Sequence, residues 1–158
     1  HNIEPIYNEQ SKILILGTMP SIVSREVQFF YAHPQNRFWH ILETIFEVTL
    51  NSIQDKKNFL LRHNIALWDV ISSCDIQGSS DSSIKNIVVN DIPKILEASD
   101  IQCIFCTGKK SYVLFKKYFD VSIPVICLPS PSSANAACSF DKLVFEYSQI
   151  LHYLPKKQ

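Results

Sequence analysis

The feature that most restricts the fold of this chain is the run Lys12-Ile13-Leu14-Ile15-Leu16-Gly17. Branched apolar residues without polar alternation suit a strand buried on both faces, as in a covered parallel sheet. Gly17 closes the run and opens a tight turn, Gly17-Thr18-Met19-Pro20-Ser21. Gly17 can take backbone angles that are costly for other residues, and Pro20 has no N–H to offer a ladder. A polar loop with Ser24, Arg25 and Glu26 follows, then Phe29-Phe30-Tyr31 and Ala32-His33-Pro34-Gln35-Asn36. A helix is expected over about 36–47, with Phe38, Trp39, Ile41, Leu42, Ile45 and Phe46 at near-helical spacing. Aromatics and small polar groups therefore crowd a loop at the carboxyl end of a buried strand. In open α/β sheets that is where ligands bind.

The rest of the chain continues the alternation. Asp55 reads as the cap of a second helix that ends at His63-Asn64. A second strand covers 65–71, and the Ser-rich stretch 72–83 reads as an exposed loop. Asn90-Asp91-Ile92-Pro93 opens a third helix with a cap residue and an early proline. A third strand runs from Ile101 to Cys106, and Gly108 leads into a helix to Phe119. A fourth strand, Pro124–Leu128, ends in a Pro/Ser loop at 129–134, and a last helix spans about 138–153. Residues 1–11 read as a polar lead-in along the surface. Four strands alternating with helices predict a parallel sheet covered on both faces. The length of 158 residues, without repeat or linker, predicts a single domain over 1–158.

Composition narrows the class. The chain is 46% hydrophobic and 19% charged, ordinary for a globular protein. Its formal net charge is zero, which argues against a strongly electrostatic nucleic-acid binder but allows a local patch. No apolar run approaches the length of about 18 residues needed to span a membrane. No signal peptide is visible, so a cytoplasmic location is expected. His1 suggests a trimmed or tagged chain. The five cysteines are odd in number, which points to a reducing compartment and free thiols. Cys103 and Cys106 have CxxC spacing inside an apolar strand, where residues three apart face opposite sides, so they read as core thiols.

The turn Gly17–Ser21, together with Tyr31-Ala32-His33-Pro34-Gln35-Asn36-Arg37-Phe38-Trp39, resembles the uracil-DNA glycosylase superfamily. The similarity is to its hypoxanthine-DNA (DNA-deoxyinosine) glycosylase branch, in which turn one reads roughly GTMPS or GSMPS and YAHPxNxFW follows. Mismatch-specific uracil-DNA glycosylases share AHPxNRFW but carry an asparagine in turn one. The likeness extends to Leu128-Pro129-Ser130-Pro131-Ser132-Ser133-Ala134-Asn135. It implies a three-layer α/β/α fold with a four-stranded parallel sheet of order 2-1-3-4. The loops after strands one, three and four would meet at one end. It also implies a base-excision repair enzyme that flips out a deaminated base, hypoxanthine, and hydrolyses its bond to the sugar. Such an enzyme would be monofunctional, associated with the nucleoid, and without metal or cofactor; neutral charge and small size point to a monomer. Its partner would be DNA containing a damaged base.

The resemblance assigns Asn36 to the chemistry, holding water or touching the base; the plainer reading is a helix cap. Tyr31 would stack on the flipped base, with Gly17, Thr18, Met19 and Thr107 around it. Ser21, His33, Arg37 and Lys109 would meet DNA, as would Pro129, Ser130, Pro131, Ser132 and Ser133. Arg37 could instead pair with an acidic neighbour. Ser21 and Ser24 suit turn formation better than nucleophilic attack. Phe38 and Trp39 suit core packing. Asp69 and Asp81 are the loop carboxylates that could act as bases, and no lysine is placed for a Schiff base.

Several positions depart from the branch pattern. Leu128 replaces a histidine that aids the leaving group in the superfamily. Thr107-Gly108 stands where an Asn-Gly is expected, and Gln77 stands where an arginine is expected. An alternative reading is a uracil or G:U/G:T mismatch glycosylase. Thr107 and Met19 favour a reading of another class, a catalytically weak DNA- or nucleotide-binding module. A serine hydrolase would need a GxSxG elbow, which this sequence lacks.

Overall fold

A computed structural model describes residues 3–76 and 84–156. The elements run in order β1 (Ile13–Gly17), α1 (Ile22–Val27), α2 (Phe38–Phe46), α3 (Ile53–Arg62), β2 (Ile65–Asp69), β3 (Ile71–Ile76) and β4 (Ile84–Val89). Then come α4 (Ile92–Ala98), β5 (Cys103–Thr107), α5 (Lys109–Tyr118), β6 (Val125–Leu128), α6 (Phe140–Tyr147) and a closing 3-10 turn at Ser148–Tyr153. Four strands form one parallel sheet in the order β2-β1-β5-β6. This is the expected order 2-1-3-4, with β5 and β6 as its third and fourth strands.

Residues of β1, β2 and β5 are buried throughout, as continuous apolar runs between helical layers should be. The register sets Gly17 beside Asp69 and Leu16 beside Cys106, so Thr107 follows one step beyond. The carboxyl ends of three strands therefore line up at one edge of the sheet. The helices begin on local caps. Ser52 Oγ accepts from Asp55 N–H, Asp91 from Lys94 N–H and Ser139 from Lys142 N–H.

The structure corrects the sequence reading in several places. The polar loop after turn one contains the short helix α1. Ser52, not Asp55, caps α3; Asp55 sits in its first turn. The second strand ends at Asp69, and residues 71–76, partly read as loop, form β3. This strand pairs antiparallel with β4 in a separate two-stranded ribbon. Residues 77–83, with Gln77 and Asp81, lie outside the described residues. The lead-in is not merely superficial. Ile3 and Ile6 are buried, Ile6 bridges Leu67, and Trp68 Nε1 donates to Ile3 O. Cys103, Cys106 and Cys138 are buried free thiols, whereas Cys127 is exposed.

Ile15 sits at the centre of the sheet with no exposed surface. Ile15→Ala is expected to lower the unfolding free energy by about 2–5 kcal/mol, read from urea denaturation midpoints.

Candidate active site

Turn one is held by the strand beside it. Val70 N–H donates to Gly17 O and Ile71 N–H to Thr18 O. Asn90 in turn donates through Nδ2 to Asp69 O and through its backbone N–H to Val70 O. Gly17 is required there by space. A Cβ on it would lie 2.5 Å from Asp69 Oδ1 and 3.0 Å from Tyr31 Oη. Ser21 then caps α1 by accepting from Ser24 N–H, and Ser24 Oγ accepts from Ala32 N–H. Both serines are turn-formers.

The aromatic stretch is fixed from α2. Trp39 Nε1 donates to Phe30 O at 2.9 Å, and Trp39 stacks on Phe29. Tyr31 has a left-handed backbone, φ 51°, uncommon for a bulky residue. Its ring stacks on Phe38 at a centroid distance of 3.9 Å, and its hydroxyl meets Thr107 Oγ1 at 2.7 Å. Thr107 spends its one proton on Leu16 O at 3.3 Å, so Tyr31 is the donor in the shorter bond. Burial, then the nearby Asp69, pushes the Tyr31 hydroxyl far above its ordinary pKa, so it stays protonated. With Phe38 on one face, only the other face of Tyr31 is available to a base.

Asn36 precedes α2. Its Oδ1 accepts from Phe38 N–H at 2.9 Å, which fixes the amide plane. The cap reading is thus realised in part, although Arg37 is the formal cap residue. Its Nδ2 carries no hydrogen bond among the described residues. Arg37 contacts neither an acidic neighbour nor the cleft. Its guanidinium donates to the carbonyls of Pro131, Ser132, Asn135 and Cys138, and its backbone N–H also donates to Pro131 O. Phe38 and Trp39 are core residues, as expected.

These segments enclose a cleft of about 610 Å³. Its lining contains Gly17, Thr18, Met19 and Ser21 from turn one, Tyr31, His33 and Asn36 from the following loop, and Thr107 from β5. Ser130, Pro131, Ser132 and Ser133 complete it. Lys109 is exposed at the start of α5, and Pro129 accepts from Tyr147 Oη; neither lines the cleft. Among the described residues no lysine lines it, and no group of three His, Cys, Asp or Glu side chains could hold a metal ion. No helix among them is long and apolar enough to cross a membrane.

Asp69, one of the two carboxylates expected as possible bases, lies in strand β2 and not in a loop. It is the last residue of β2, only 6% exposed, and it lines the cleft. Its carboxylate has no hydrogen-bond partner among the described residues, and burial alone pushes its pKa from 3.8 up to about 7. A carboxyl expected as a base is thus present in both its protonated and its ionised form near neutrality. The available signal was positional: a lone polar residue closing a buried strand at the ligand-binding end.

The model of the uracil DNA glycosylase superfamily matches residues 4–150 of this chain. A hypoxanthine DNA glycosylase of Methanosarcina barkeri is 36% identical over 110 residues, 68% of this chain and 70% of that protein. One of Methanosarcina acetivorans is 33% identical over 133 residues, 82% and 84% of the two chains. The solution NMR structure of a candidate uracil DNA glycosylase from Methanosarcina acetivorans superposes with a TM-score of 0.78. It is 27% identical, with coverage of 96% of this chain and 98% of that one.

Because the folded pKa of Asp69 lies above its unfolded value, its contribution is fully present below about pH 3.8 and is lost as pH rises through about 7. Asp69→Asn is therefore expected to be more stable than the wild type at pH 8, by a margin on the order of 4 kcal/mol. Urea titrations from pH 8 down to pH 5 should show the margin shrinking.

Proposed function

The chain belongs to the uracil DNA glycosylase superfamily and is a DNA glycosylase, and we propose that the base it removes from DNA is hypoxanthine. The observation that carries the reading is Asn36, which lines the cleft and whose amide oxygen is fixed by Phe38 N–H. An amide held in this way can position the attacking water against C1′ without reorganising during the reaction. Tyr31 offers one aromatic face to the flipped base, and turn one supplies backbone groups at its edge. Ser130, Pro131, Ser132 and Ser133 line the cleft, where they would press on the DNA backbone and prop the gap left by the flipped base. The names of the two Methanosarcina relatives support hypoxanthine as the base.

The enzyme is monofunctional in this reading, because an imine with the sugar would need a lysine in the cleft. It works as a monomer, in the cytoplasm, on nucleoid DNA. His33, at the exposed rim of the cleft, and Lys109, outside it, are the side chains that would meet phosphates.

Labelled oligonucleotides carrying one hypoxanthine, uracil, xanthine or mismatched thymine, treated with the protein and then hot alkali, test this. Strand breaks are expected at hypoxanthine and only after alkali. Asn36→Ala should lower the single-turnover rate by about 10²–10³-fold. Breaks at uracil alone would move the protein to the mismatch branch, and breaks before alkali would refute the monofunctional reading.

A further inference from the structure

We propose that Asp69 is the general acid of the reaction, protonating the imidazole ring of the departing purine. This rests on the reading above and adds to it a residue for the leaving group.

The argument is geometric first. A purine leaves with the electron pair of its C1′–N9 bond, and that charge is relieved by a proton at N7 of the same ring. The superfamily histidine that would help is Leu128 here, which is fully buried. Thr107 cannot replace it, since its proton is committed to Leu16 O. Arg25 lines the cleft but does not release a proton at accessible pH. His33 is exposed, and its Nδ1 accepts from Gln35 N–H at 3.1 Å, which keeps the ring at the rim.

Asp69 remains. It stands at the floor, beside Gly17, where any side chain on residue 17 would collide with its Oδ1. Among the described residues every side-chain nitrogen or oxygen sealed from solvent has a hydrogen-bond partner, and none of them bonds the Asp69 carboxyl. Its oxygens therefore open on the cleft and are not sealed in the core. A burial this deep without a partner is costly, and it persists where the group is used. The other titratable or charged groups near it are few. Tyr31 comes from the loop before α2, Arg25 from α1, and His33 from the rim. From β5 comes the Cys106 thiol, which burial pushes up to about 12. Turn one and residues 130–133 bring none. The charged residues of α3, Asp55, Lys56, Lys57 and Arg62, do not line the cleft.

The step balances. The C1′–N9 bond breaks, its electron pair enters the imidazole ring, and the Asp69 proton passes to N7, so hypoxanthine departs neutral. Asp69 is left as a carboxylate beside the cationic sugar. Water held by Asn36 adds to C1′ and returns a proton to solvent, from which Asp69 is reprotonated.

The test is single-turnover release of hypoxanthine from duplex DNA between pH 5 and pH 9, with wild type and Asp69→Asn. The wild-type rate should fall about tenfold per unit above pH 7, the range in which Asp69 titrates. Asp69→Asn should be slower by about 10²-fold or more at pH 6, with a flat profile, while its thermal unfolding and oligonucleotide binding show an intact fold. A 7-deaza-hypoxanthine substrate has no N7, so the wild type should be slow on it and Asp69→Asn no slower. An Asp69→Asn protein with the wild-type rate and profile overturns the inference, as does full-rate release of the 7-deaza base. A wild type that releases hypoxanthine at no pH refutes the functional reading itself, and the inference with it.

Discussion

The site depends on the parallel pairing of β1 with β2 on one edge and β5 on the other. Hydrogen bonding on both edges leaves the backbone of β1 no freedom, and its apolar side chains are clamped between helical layers. The chain steps from β1 out to β2, then returns to β5 on the opposite side, so the loops leaving β1 and β5 diverge. A crevice forms where they part. Gly17, Asp69 and Thr107 are neighbours there because of register alone, although they come from three distant parts of the sequence.

Around that row the polar groups are arranged to leave few protons uncommitted. Thr107 is locked between Tyr31 and a strand carbonyl, Ser21 caps α1, and Ser24 Oγ accepts from Ala32 N–H. Tyr31 is held in a left-handed conformation by its stack on Phe38 and its bond to Thr107. Such a conformation costs on the order of 1–3 kcal/mol and survives only where the surroundings over-determine it. Tyr31, Asn36 and Asp69 stand together among the residues that line the cleft.

Much of the fold was legible because its central strands are short apolar runs closed by turn residues. The helices were legible because α2 and α3 carry near-helical apolar spacing. What escaped has physical reasons. Helix α1 has six residues and no sustained apolar period, so it read as loop. The strand β3 begins two residues past the end of β2 and is rich in polar residues, because a two-stranded ribbon outside the main sheet has little core to face. Ser52 and Asp55 are both good cap residues, and composition cannot choose between them. At the site, Asn36 and Tyr31 stood out by type and spacing. The partners of Arg37 did not, since they are backbone carbonyls, which no sequence displays. Asp69 stood out as a candidate base, but its burial and the raised pKa that follows depend on how β2 packs, which no residue type displays.

The arginine clamp carries a consequence for how this architecture can vary. Arg37 directly follows the amide that faces the cleft and grips four carbonyls of the opposing 131–138 segment. The two segments are thus joined by one residue whose targets are main-chain atoms. Substitutions within 131–138 that keep the backbone path are tolerated by such a grip, whereas an inserted or deleted residue breaks the spacing between the carbonyls it holds. Among relatives of this chain, length in that segment should be the invariant and side-chain identity the variable. Evolution is then free to retune the surface facing the nucleic acid without altering the clamp.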